Sequence, residues 1–293
     1  MIKPIERLLH SFLFLILIGA SGSIVYYIKT TPSTPTDARV IPAETRTSNF
    51  VPTPVPSSTV PTPDTGWSLL RPGLERRVIR IDNDQNQHSE SLYIWRLDQN
   101  YFRLDVAYNE RPKSLDAWQK ETQAAIVLNG GYFSVEKEKY LPDGLTIVNG
   151  KATGHSFEGF GGMLAIKPSG AELRWLVEKP YNPYEALHAA LQSFPILVQP
   201  DGRLGFPAEK DNHARARRTV IAQDKEGRIL FIVAPEGYFT LHQLSVYLTG
   251  SDLNLKIALN LDGGGSTGIL VANPREMISP GTLLPFVILV YQR

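Results

Sequence analysis

The chain of 293 residues contains no cysteine. Disulfides, thiolate metal sites, a cysteine nucleophile and a lipid-modified N-terminal cysteine are all excluded by that absence. An excess of charge of one sign is also lacking: 30 Lys and Arg against 29 Asp and Glu leave a net charge of +1. That balance gives no basis for a nucleic-acid partner, which asks for a basic surface. Neither a Gly-Lys-Ser/Thr P-loop nor an H-E-x-x-H helix occurs. No group of His, Asp and Glu has metal-ligand spacing, so no metal or cofactor is expected. Hydrophobic content of 42% with 20% charged residues is that of an ordinary globular protein.

Long apolar runs are confined to one place. Lys3 and Arg7 precede Leu8 to Ile28, a stretch free of Asp, Glu, Lys and Arg. It is long enough to cross a hydrocarbon core of roughly 30 Å. Positive charge on the short N-terminal side predicts a cytoplasmic N-terminus. The alternative is a signal peptide cleaved between Gly19 and Ser23. Apolar residues resume at Ile24, and Tyr26 and Tyr27 suit an interface, which favours an uncleaved anchor over 1–30. Either reading exports the rest of the chain. Pro, Thr and Ser then dominate 31–66, as in Val51-Pro52-Thr53-Pro54-Val55-Pro56. Such a segment buries too little apolar surface to offset its ordering entropy, so a disordered spacer is expected. Its maximum reach is on the order of 100 Å.

Residues 67–293 show no second linker and no repeat. They predict one α+β domain of mixed β-sheet with a few helices. Runs rich in β-branched and aromatic residues read as strands: Val78–Ile81, Leu92–Trp95, Phe102–Val106, Ala125–Leu128, Gly144–Val148, Met163–Ile166, Ile196–Val198, Val220–Ala222, Ile229–Val233, Ile257–Leu261, Ile269–Val271 and Phe286–Val290. Leu241, Leu244 and Leu248 have helical spacing behind Thr240, and Thr240 with Gln243 fits a capping box, predicting a helix to about Ser251. Weaker helical patterns cover Ser114 to about Thr122, and Pro183 to Leu191.

Two segments share one grammar: an apolar run, a polar residue, then glycines. They are Leu128-Asn129-Gly130-Gly131-Tyr132-Phe133 and Leu261-Asp262-Gly263-Gly264-Gly265-Ser266. Gly263, Gly265 and Gly268 satisfy G-x-G-x-x-G, but a dinucleotide site needs a helix next, and a short strand follows here. Gly264 to Gly268 satisfies G-x-S-x-G, but a nucleophile elbow needs a later histidine, and His242 is the last. Alternation puts Ile257, Leu259 and Leu261 on a core face, and Ala258, Asn260 and Asp262 on a face that can reach a cleft. Two readings remain open. The loops are tight turns whose polar residues bond their own backbone, or Asp262 and Asn129 converge on one ligand site.

Between them lie Arg215, Arg217 and Arg218. Arg218 enters an apolar strand and suits phosphate or carboxylate binding; Arg215, Arg217 and His213 read as solvated. His155 is a lone histidine in a polar loop and a candidate site residue.

Four blocks in order resemble the phosphodiester glycosidase family: Leu128–Phe133, Gln192-Ser193-Phe194-Pro195-Ile196-Leu197-Val198, Arg218-Thr219-Val220-Ile221-Ala222, and Ala258–Ser266. Phe194 and Ala222 stand where members commonly carry glycine. The resemblance implies a hydrolase of sugar phosphodiesters outside the cytoplasm, with bacterial relatives tied to exopolysaccharides. It implies catalytic roles for Asp262 and Arg218. Substrate contacts would come from Asn129, Gly130, Gly131, Ser193, Gly263, Gly264, Ser266 and His155. Asp143, Glu158 and Glu236 are candidates for a second carboxylate. A glycosidase acting without phosphate, or a non-catalytic glycan-binding protein, fits the same scaffold.

Overall fold

Strand Ile229–Ala234 is apolar at every position, and both of its faces are covered. Ile229, Phe231 and Val233 face a central core, while Leu230, Ile232 and Ala234 join a second cluster beneath a helix. This two-sided burial explains why the strand reads as a continuous apolar run rather than an alternating one. In this computed structural model the described residues are 13–18, 24–28, 64–82, 89–157 and 161–293. They fall into two units, Met1–Val60 and Pro61–Arg293.

Three antiparallel sheets build the larger unit. One has eight strands, in the order Arg203–Leu204, Ile196–Gln199, Leu255–Asn260, Arg218–Asp224, Ile229–Ala234, Ser89–Leu97, Leu74–Asp82 and Ser68–Arg71. A second orders Glu276–Ile278, Ile269–Val271, Ile126–Asn129, Leu284–Gln292 and Phe102–Lys113. The third orders Lys151–Thr153, Thr146–Val148, Ala189–Ser193, Gly162–Lys167 and Gly170–Trp175. A hairpin, Phe133–Glu136 with Lys139–Pro142, stands apart. Each of the three sheets turns one face into a shared core that includes Trp95, Leu104, Leu128, Leu164, Leu191, Phe231, Leu259 and Ile288.

Two helices close the outer faces. α1 (Leu115–Thr122) puts Leu115 and Trp118 against Val127, Leu270 and Val287. α2 (Leu241–Gly250) puts Leu244 and Leu248 against Val220, Ile232 and Ala258. Thr240 caps α2, and the predicted capping box with Gln243 is present.

Every run predicted as a strand overlaps one, with Ala125, Gly144, Leu145 and Leu261 falling just outside, and the helices at Ser114 and Thr240 form. Two expectations change. The sheets are not mixed: every strand pair among the described residues is antiparallel. Pro183 to Leu191 is not a helix; its last part is strand Ala189–Ser193, held between Thr146–Val148 and Gly162–Lys167. Pairing on both sides overrides the helical preference of Ala189-Ala190-Leu191.

Of the anchor, the described parts Leu13–Ile18 and Ile24–Ile28 are two paired antiparallel strands. Among the described residues no helix is long and apolar enough to cross a membrane. The spacer from residue 31 to 63 lies outside the described residues.

Candidate active site

Strands from all three sheets end at one place. Ile126–Asn129 and Leu255–Asn260 each finish there in a buried asparagine. Arg218–Asp224 runs antiparallel to Leu255–Asn260, so it begins where that strand ends. Ala189–Ser193 brings Ser193 beside Gly131. The two glycine loops lie side by side: Asp262 N–H donates to the Gly130 carbonyl at 3.1 Å.

Asn129 is fully buried, and all four of its hydrogen-bonding positions face the protein. Nδ2 donates to the carbonyls of Asp262 at 2.8 Å and Gly130 at 3.2 Å. Oδ1 accepts from the Thr219 hydroxyl at 2.8 Å and the Gly268 N–H at 3.1 Å. The amide thus pins both glycine loops to the start of the Arg218 strand. The glycines are small for a related reason. A Cβ on Gly130 would lie 2.4 Å from the Phe286 ring, one on Gly131 3.0 Å from the Gln192 carbonyl, and one on Gly263 2.7 Å from the Arg217 carbonyl. Gly264 has φ +56°, the left-handed region that favours glycine.

Asp262 is 8% exposed. Its carboxylate accepts the Gly263 N–H at 2.9 Å and is also bonded by the Ser266 hydroxyl. Burial pushes its pKa up to about 7; Ser266 and Gly263 pull it back, and the charge of Asp143 adds to the rise. Ser266 therefore orients the acid. Asp143 is itself raised, chiefly by burial, against a hydrogen bond from Ser134.

Arg218 is also 8% exposed. Nε donates to the Phe239 carbonyl at 3.3 Å and Nη2 to the Ala214 carbonyl at 2.7 Å. The other buried arginines each hold two carboxylates: Arg77 takes Asp64 and Asp252, and Arg174 takes Glu172 and Glu185. Among the described residues no carboxylate pairs with Arg218. Burial lowers its pKa, and Tyr132 and Asp211 oppose that.

Tyr132 and Asn260 complete the site. The Tyr132 ring stacks on Phe194 with centroids 4.5 Å apart and planes 24° apart. Its oxygen accepts from Asn260 Nδ2 at 2.7 Å. Burial raises the phenol's pKa; Asp262 raises it further, Arg218 opposes, and Asp143 adds a smaller rise. Tyr132 carries no site signal in the sequence by residue type alone. Its position directly after Gly130-Gly131 was the available signal.

The remaining candidates spread out. Ser193 is buried, and its hydroxyl lacks a hydrogen-bond partner among the described residues. His155 is exposed, on a loop tied down by Gln192, which bonds the Phe157 N–H and carbonyl. Glu158 lies outside the described residues. Glu236 accepts the Ser91 N–H and faces buried Glu90, whose pKa is raised by burial and then by Glu236. His213 is exposed, Arg215 lies over the Tyr238 ring, and Arg217 donates to the Ser279 carbonyl. A separate groove of about 240 Å³ between Gln99, Lys167, His188 and Arg293 contains none of the site residues. Its Lys167 is already paired with Glu185 and its His188 with Asp105.

The phosphodiester glycosidase family model matches residues 122–290. The chain belongs to the phosphodiester glycosidase family and is by class a hydrolase. No curated protein matches its sequence. Among solved structures, it resembles the catalytic domain of zebrafish N-acetylglucosamine-1-phosphodiester alpha-N-acetylglucosaminidase, auto-inhibited by its pro-peptide. That match has a TM-score of 0.60 at 18% identity, covering 77% of this chain and 86% of the other. A hypothetical protein from Synechocystis matches at TM-score 0.52 and 13% identity, over 76% of this chain and 62% of the other. A Burkholderia pseudomallei protein described as exported matches at TM-score 0.51 and 11% identity, over 69% and 74%. At these identities the likeness is one of fold.

Proposed function

We propose that this chain hydrolyses a glycosyl-1-phosphodiester in envelope or exported glycans, from a position anchored to the membrane with the domain outside the cytoplasm. One observation carries the substrate class: Arg218 is a buried guanidinium without a carboxylate partner among the described residues. A buried cation is costly unless an anion accompanies it. The diester phosphate is that anion, and the planar guanidinium fork suits it.

In the reaction, water adds to the anomeric carbon and the carbon–oxygen bond to phosphate breaks. The bonding pair leaves with the phosphomonoester. Phosphate leaves readily, so little demand falls on a general acid. Asp262 acts as its carboxylate: it stabilises positive charge on the ring or takes the proton of the attacking water. Arg218 stabilises the charge gathering on the departing phosphate. Of the described candidates for a second carboxylate, Asp143 adds to the field at Asp262, whereas Glu236 is engaged with the Ser91 N–H and Glu90. Location rests on the run Leu8 to Ile28 and its preceding Lys3 and Arg7.

A panel of glycosyl phosphodiesters offered to the full chain tests this reading. Arg218→Ala should lower kcat roughly 100- to 1,000-fold, the usual cost of one charge-stabilising group. Arg218→Lys should recover only part of that loss. Turnover of phosphate-free glycosides alone would refute the substrate class, and saturable glycan binding without sugar release would refute catalysis.

A further inference from the structure

The orientation of Asn260 decides where the Tyr132 proton points. Asn260 Nδ2 lies 2.7 Å from the Leu261 carbonyl and 3.1 Å from the Phe194 carbonyl. Carbonyls only accept, so the amide must turn its NH2 toward them. The same nitrogen lies 2.7 Å from the Tyr132 oxygen. An amide nitrogen cannot accept, so the phenol's own proton points elsewhere, and the two NH2 hydrogens are shared among the three oxygens. No acceptor for that proton occurs among the described residues. The hydroxyl of Ser266 and the N–H of Gly263 serve the Asp262 carboxylate, so Asp262 does not depend on the phenol.

We propose that Tyr132 contacts the substrate, its hydroxyl donating a hydrogen bond to a phosphoryl oxygen of the diester held at Arg218. The inference rests on the function proposed above and adds a neutral donor to its single cation. Phe194 and Asn260 are positioning residues: one fixes the ring plane by stacking, the other occupies the oxygen's acceptor side. Burial and the neighbouring Asp262 keep the phenol protonated, so it serves as a donor and not as a nucleophile. A donor set aside in this way, on the wall that also feels Arg218, suits an anionic oxygen better than a sugar hydroxyl. Hydrogen bonds to charged groups are the stronger kind.

Tyr132→Phe in the full chain removes the hydroxyl and keeps the Phe194 stack. Titration calorimetry with inorganic phosphate should show affinity reduced roughly 10- to 100-fold, as expected for loss of one hydrogen bond to a charged group. kcat on a glycosyl phosphodiester should fall, the melting temperature should change little because the Leu261 and Phe194 carbonyls still take the Asn260 NH2, and the phosphate defect should persist from pH 5 to 9. Unchanged phosphate affinity and turnover in Tyr132→Phe, beside an active wild type, would overturn this contact alone. A wild type that neither binds phosphate nor cleaves a phosphodiester would overturn the functional reading and the contact with it.

Discussion

Glycine serves different ends across the two loops. Gly130 and Gly263 are small because protein atoms already occupy the space a Cβ would need. Gly265 is exposed, and its nearest potential neighbour is Thr282 Cγ2 at 3.9 Å. Gly130→Ala should therefore destabilise the fold by about 1–3 kcal/mol, the usual cost of overpacking, as measured by chemical denaturation. Gly265→Ala should leave stability within about 0.5 kcal/mol. If Gly265 lies where the ligand approaches, the same variant will raise KM. Equal destabilisation by the two substitutions would contradict this division. The sequence showed that both loops mattered but not which glycine did what. A one-letter Gly does not say whether its neighbour is backbone, ring or solvent. Asn129 is a similar case: its residue type fits a sugar hydroxyl, yet its environment makes it a pin between loops.

Helix α2 was legible from its apolar spacing and its capping box, both of which are local signals. Thr240 does more than the box requires. Its side chain accepts the Gln243 N–H at 3.2 Å and donates to Asp211 Oδ2 at 2.6 Å. Asp211 is one of the charges felt by Arg218. Thr240→Ala should cost about 1–2 kcal/mol through loss of the cap, and Thr240→Ser should restore most of it in the same thermal melt. Strand Ala189–Ser193 was misread because alanine and leucine favour helices locally. Only pairing with strands more than twenty residues away in sequence decides its state. The edge strands Ser68–Arg71, Lys151–Thr153, Arg203–Leu204 and Glu276–Ile278 and the hairpin Phe133–Glu136 with Lys139–Pro142 went unseen for another reason. They are short and largely exposed, so they lack the apolar pattern that marks a strand.

At the scale of the molecule, Asp224 is buried against Arg228, while two other buried acids, Asp262 and Glu90, have no cation paired with them among the described residues. The folded pKa of Asp262, about 7, lies above its ordinary value of 3.8, so at intermediate pH the folded protein keeps a proton that the unfolded chain has lost. Its contribution to stability is full below pH 3.8 and is lost as pH rises toward 7. The shift corresponds to at most roughly 4 kcal/mol. Glu90, raised by burial and by Glu236, works in the same direction. Thermal stability of the wild type should therefore fall between pH 5 and 8. Asp262→Asn should flatten part of that slope and overtake the wild type at the alkaline end. Turnover has the opposite sign: it needs the carboxylate, so kcat/KM should rise through pH 7 in the wild type. A stability curve for Asp262→Asn parallel to that of the wild type would refute the buried-acid account.

The sequence by itself determined the strand-rich domain, both helices that form, the family, and the two loops with Arg218 between them. These follow from local patterning and from short motifs whose spacing is carried along the chain. Tertiary structure decided that all sheets are antiparallel and that three of them deliver strand ends to one place. It also decided that Arg218 is buried with no carboxylate paired to it among the described residues, and that Tyr132 stacks on Phe194 beside Asn260. Burial, counter-charge and hydrogen-bond direction depend on residues distant in sequence. Asn129 and Asp262, or Tyr132 and Asn260, become neighbours only once the sheets have packed.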